Sequence, residues 1–141
     1  MRGRIGPRVI RATVFKAASS ERWKDAQCLY AAGRYQGAIY LSGYALECQL
    51  KANVCSTRRV KFLEESYAKS LGHDLARALH AAGLNRKLSN NEDLRVAFLE
   101  IANRWSTGIR YSGGGSNKGE CERFLKDSEG LLSWLRKESR L

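Results

Sequence analysis

The chain has 141 residues, 43% of them hydrophobic, which suffices for one domain with a packed core. Lys and Arg outnumber Asp and Glu by 25 to 14, giving a net charge of +11 that favours a polyanionic partner over a basic one. No stretch approaches the roughly 20 apolar residues that cross a bilayer. The basic N-terminus also lacks the apolar core of a signal peptide, so the expectation is a cytoplasmic protein with no membrane segment.

The charge is concentrated early in the chain. Residues 1–61 hold 12 basic and 3 acidic residues, whereas residues 62–141 hold 13 and 11. Such a front-loaded field suits nucleic acid or an acidic protein, although a merely solubilising surface would look the same. Cys28, Cys48, Cys55 and Cys121 form no C-x-x-C pair, and two histidines are too few for a zinc site. Cys48 and Cys55 would lie about 10 Å apart along one helix, too far for a disulfide. Reduced, buried thiols are expected, with no metal and no cofactor.

In chain order, residues 1–16 carry Arg2, Arg4, Arg8, Arg11 and Lys16 without an acid, and read as a flexible basic arm rather than a strand, either following a phosphate backbone or serving as a disordered leader. Ser19 or Ser20 can cap a first helix in which Trp23, Ala26, Leu29 and Tyr30 share a face. Gly33 then fits the left-handed position that ends it. The short Gly33-Arg34 link makes the next helix return antiparallel.

That next helix, residue 35 to about 54, is the most apolar part of the chain. Residues 38–46 carry no charge and put apolar side chains on every face, the pattern of a helix surrounded by other helices. Residues 56–72 form the longest unpatterned connection. Its basic cluster is Arg58, Arg59 and Lys61, and a short helix fits from about Phe62. Asp74 opens a helix with Leu75, Ala78, Leu79 and Ala82 on one face and Gly83 as its stop.

Ser89-x-x-Glu92 reads as a capping box. The helix behind it carries Leu94, Ala97, Phe98, Ile101, Ala102 and Trp105 at the 3.6-residue period. A Gly-rich turn near 113–119 is not a phosphate loop, because no G-K-[ST] ends it. A last helix covers about 120–137, with Cys121, Phe124, Leu125, Leu131, Leu132 and Leu135 inward. The expected fold is all-α, an up-and-down bundle of four or five helices over residues 17–141.

Candidate site residues are polar groups placed where polarity is costly. Glu47 and Lys51 are spaced i, i+4 and form either a partly exposed ion pair or the edge of a site. His73, at the start of a helix, either packs as a cap or acts as a general base; His80 reads as structural. Arg104, Arg110 and Tyr111 cluster around one turn. They either hold a phosphate and stack a base, or satisfy helix carbonyls and cover the core.

GRYQGAIYLSGYALECQLKA (33–52), GHDLARAL (72–79) and RWSTGIRY (104–111) together resemble the HEPN domain superfamily (higher eukaryotes and prokaryotes nucleotide-binding). The most specific part is A-x-x-x-x-G-Y-A-L-E-x-x-L-K-A. The resemblance implies a small helical bundle, usually a homodimer. Many members are metal-independent ribonucleases of toxin–antitoxin or phage-defence systems, sometimes paired with a nucleotidyltransferase-type or antitoxin partner. Others bind RNA or nucleotides without cleaving them. Catalytic members carry Arg, four to six residues, then His. Here Arg104 is followed, after five residues, by Arg110 and then Tyr111. Arginine stays protonated and cannot serve as the base.

The resulting expectation is an RNA- or nucleotide-binding domain in which Arg58, Arg59, Lys61, Lys51, Arg104, Arg110 and Tyr111 contact the ligand. The alternatives are a divergent ribonuclease using Glu47, His73 and Arg104, and a helical protein–protein adaptor.

Overall fold

A computed structural model describes residues 8–105 and 116–139. Arg110, Tyr111 and residues 113–115 of the Gly-rich turn lie outside the described residues, as do residues 1–7. The chain enters through strand β1 (Val9–Arg11) and runs directly into α1 (Ala12–Ala31), α2 (Tyr35–Arg58) and strand β2 (Phe62–Glu64). Three short helices follow, α3 (Glu65–Leu71), α4 (Leu75–Ala81) and α5 (Asn85–Ser89), before the long α6 (Glu92–Arg104) and α7 (Lys118–Glu138).

The four long helices form the expected all-α, up-and-down bundle. Gly33, at φ 77°, closes α1, and its N–H donates to the Tyr30 carbonyl at 3.0 Å, so α2 folds straight back. α6 runs antiparallel to α7, since Arg104 at the end of one meets Glu120 at the start of the other. α2 and α7 run parallel: Gln36 and Ser116 meet at one end, and Asn53 donates to the Leu135 carbonyl at the other.

α2 is the element around which the others pack. Ile39, Leu46, Leu50 and Val54 are each no more than 1% exposed. Fully burying one such side chain contributes about 1.5–3 kcal/mol, and Leu50→Ala would cost about 2–5 kcal/mol through the cavity left behind. Several buried polar groups on and against this helix are paired inside the core, although the buried Ser42 hydroxyl has no partner among the described residues. Ser19 donates to the Ala45 carbonyl at 2.8 Å, and Gln49 donates to Asn53 at 3.0 Å.

Several sequence expectations are corrected. Val9–Arg11 is not part of a flexible arm. It pairs antiparallel with β2, in the register Val9 with Glu64, Ile10 with Leu63 and Arg11 with Phe62. A three-residue strand is too short to show alternation, and its partner lies far along the chain, so no local pattern announces it. α1 begins at Ala12, and Ser19 is a buried mid-helix residue rather than a cap.

The Ser89-x-x-Glu92 box is also wrong. Ser89 ends α5, and Asn91 caps α6 by accepting from the Leu94 N–H at 3.2 Å. Asp74 does cap α4, accepting from the Arg77 N–H at 3.0 Å. Of the four thiols, Cys48, Cys55 and Cys121 are buried and Cys28 is exposed; none is in a disulfide.

Candidate functional site

The most unusual chemistry lies on α2. Glu47 is only 4% exposed, yet its two carboxylate oxygens are engaged separately. Oε2 accepts from Lys51 Nζ at 2.9 Å, one helical turn on, and Oε1 accepts from His73 Nδ1 at 2.7 Å. Lys51 is itself 8% exposed, so this is a buried ion pair and not the partly exposed one of the first alternative. Burying two charges is costly and is repaid only when geometry and further hydrogen bonds are good. The His73 contact supplies that third partner.

His73 reaches Glu47 because of the turn before α4. Gly72 adopts φ 59° and ψ −142°, a region essentially open to glycine alone, and it swings the chain over α2. An ionised carboxylate only accepts, so Nδ1 carries the hydrogen of this contact, which leaves Nε2 uninvolved in it. The imidazole side chain stays 43% exposed.

Trp105 holds the other side of the ring. Its indole meets His73 edge-on at 6.3 Å between centroids and stacks on Tyr40 at 6.1 Å. The indole N–H donates to the Tyr40 carbonyl at 3.0 Å. Gly43 makes this seat possible, because a Cβ there would collide with the indole nitrogen and the two ring carbons beside it.

His73 therefore stands between two openings. One, of about 310 Å³, is lined by Tyr44, Glu47, Lys51 and Lys69; the other, of about 510 Å³, by Asp74, Asn103 and Trp105. Cys48 also lines the first, and burial pushes its thiol up to about 11, so it remains neutral there.

The remaining candidates do not join this group. Arg104 faces a separate opening of about 430 Å³ that also contains Glu100, Glu120 and Asp127. It is tied to Glu120 at 2.6 Å and to Ser116 at 3.1 Å. The Arg104 contact holds the Glu120 carboxyl below its ordinary value, and burial followed by the Glu100 charge raises that of Asp127. Arg58 turns onto Tyr67, donating to its hydroxyl at 2.6 Å and lying 4.2 Å above the ring. Arg59 instead lines an opening towards Lys87 and Glu138, so the compact basic cluster of the sequence is split between two faces. Lys61 is exposed beside β2. Arg110 and Tyr111 lie outside the described residues.

Sequence reasoning missed Gly43 as a site-building residue. Its signal was the Gly43-Tyr44 pair inside an otherwise unbroken helix, where glycine is disfavoured unless something approaches closely. Trp105 was read only as the end of an apolar stripe.

No curated protein and no solved structure matches the chain. The HEPN domain matches residues 13–138, nearly the whole chain, including α2, the His73 turn and both terminal helices of the bundle. The chain is a member of the HEPN domain family.

Proposed function

We propose that this HEPN domain binds RNA or a nucleotide in the openings on either side of His73, without the family's Arg–His ribonuclease pair. The observation that carries the reading is the buried Glu47 carboxylate holding Lys51 and His73 together at a cavity mouth. Lys51 and Lys69 offer cationic hydrogen-bond donors for a phosphate, and Tyr44 offers a ring face for a base. A cytoplasmic homodimer in a toxin–antitoxin or phage-defence setting, with an antitoxin or nucleotidyltransferase-type partner, is part of the proposal and rests on the family.

A second reading is favoured by one distance. The 2.7 Å contact from Glu47 fixes the His73 ring and leaves Nε2 out of it, the nitrogen at which a neutral ring then accepts a proton. A histidine oriented by a carboxylate is the arrangement of a general base, here for a ribose 2′-hydroxyl. In this ribonuclease Arg104 would have to leave Glu120 to stabilise charge.

Titration of labelled RNA and of ATP against the wild type, Lys51→Met and His73→Ala tests both readings. Binding that weakens about tenfold or more in the variants, with the RNA intact, supports the first. RNA cleavage that disappears in His73→Ala replaces it with the second. No affinity for either ligand at low salt overturns both and leaves the adaptor.

A further inference from the structure

A further opening lies on the far side of α2 from His73. Lys51 lines the His73 side, and Gln49, two residues earlier and so about 200° round the helix, lines this one. It measures about 220 Å³ and is bounded by Lys16 and Ser20 of α1, Gln49 of α2, and Arg136 and Ser139 at the end of α7. Lys16 and Ser20 are one turn apart on a single helix face. Gln49 is 1% exposed and held in place, since its amide donates to Asn53 at 3.0 Å and Asn53 donates in turn to the Leu135 carbonyl at 2.9 Å.

Charge sets this opening apart. Each of the four described above contains at least one carboxylate, whereas this one brings together two cations and no acid. The acids next to its residues in sequence are engaged elsewhere: Glu21 with Lys24, Glu47 with Lys51 and His73, and Glu138 with Lys87. Arg136 is in no ion pair with a described residue. Together with Lys137 in the last turn of α7, it offsets the negative end of that helix dipole. The Ser139 hydroxyl is shut off from solvent and has no partner among the described residues. Leaving a buried hydroxyl unpaired is costly, and turning it towards an acceptor in the opening breaks no existing bond.

We propose that this pocket binds a terminal phosphate group, either free or as a monoester. Two cations without a carboxylate match a dianion, and a monoester phosphate carries about −1.5 to −2 near neutral pH on three acceptor oxygens. Guanidinium, ammonium and hydroxyl groups all donate to such oxygens. The opening is smaller than the roughly 300–1,000 Å³ of pockets that enclose drug-sized molecules, so it takes the phosphate and not a whole nucleotide. The site is separate from the His73 openings and does not depend on what they bind.

Calorimetric titration of the full chain with inorganic phosphate, beside chloride and nitrate at equal ionic strength, tests the proposal. The variants are Arg136→Gln, Lys16→Gln/Arg136→Gln and Ser139→Ala. Arg136 is exposed, and thermal unfolding without phosphate checks the fold of each variant. Ser139→Ala removes an unpaired hydroxyl and should not lower stability. Phosphate should bind about tenfold more weakly to Arg136→Gln, about threefold more weakly to Ser139→Ala, and not measurably to the double variant. The same short RNA bearing a 5′-phosphate or a 5′-hydroxyl separates the two sources. A preference of about tenfold for the phosphorylated end, lost in Arg136→Gln, identifies a nucleic-acid terminus; no preference, with inorganic phosphate still bound, identifies free phosphate.

Absence of phosphate binding to the wild type overturns the proposal, as does chloride or nitrate binding equally well. Phosphate affinity within about twofold of wild type in both arginine variants also overturns it. A loss seen with Lys51→Met and not with Arg136→Gln assigns the phosphate to the His73 openings, upholding that reading and overturning this one.

Discussion

Gly43 and Trp105 pack in direct contact: a Cβ on residue 43 would collide with the indole nitrogen and the two ring carbons beside it. The contact joins the middle of α2 to the end of α6, and it fixes the wall against which His73 leans.

Gly43→Ala should therefore be destabilising despite alanine's better helix propensity. Overpacking typically costs about 1–3 kcal/mol, against about 1 kcal/mol gained by removing a mid-helix glycine. The expected result is a lower melting temperature together with altered near-ultraviolet circular dichroism as Trp105 is displaced. A variant more stable than wild type would show that the indole moves aside freely.

Glu47 should be the most sensitive polar residue of the core. Glu47→Ala leaves the Lys51 ammonium buried without its carboxylate, at a cost of about 3–5 kcal/mol. Lys51→Met should be milder, because His73 still partners Glu47. The double variant Glu47→Leu/Lys51→Met should recover much of the loss, since it removes both buried charges. Urea unfolding of the set measures the coupling. Additive effects would mean that the pair is solvated after all.

Arg59 ends α2 at φ 57°, the sole described non-glycine residue with a positive φ. The Val60 N–H reaches the Cys55 carbonyl and the Arg59 N–H that of Ser56, the arrangement in which glycine is preferred. Arg59→Gly should raise stability by about 1 kcal/mol, with an unchanged denaturant slope. Loss of stability would mean that the arginine side chain contributes more than its backbone strain costs.

Burial pushes the thiols of Cys48 and Cys121 from an ordinary 9.0 up to about 11. Both folded values lie above the unfolded one, so the contribution to stability is full below about pH 9. It is lost as pH rises towards about 11, because the unfolded chain ionises first. Melting temperatures measured across this range should fall, and less so in Cys48→Ala/Cys121→Ala. Under native conditions a thiol reagent should titrate Cys28 quickly and the buried three only on unfolding. Fast modification of Cys48 would contradict its burial.

Local pattern determined most of the architecture. The charge-free run of α2, the glycine stop at Gly33, the Asp74 cap and the apolar periods of α6 and α7 are written in residues a few positions apart, where helix physics acts. The same residues singled out Glu47, Lys51 and His73 one by one. Tertiary structure decided what no short window contains. It placed β1 on β2, put Trp105 over Gly43, and brought His73 onto Glu47 from 26 positions away. It also drew Arg104 to Glu120 and away from that group. Secondary structure is set by neighbours along the chain, whereas the pairing of a buried charge is set by whichever group the fold carries within hydrogen-bond reach.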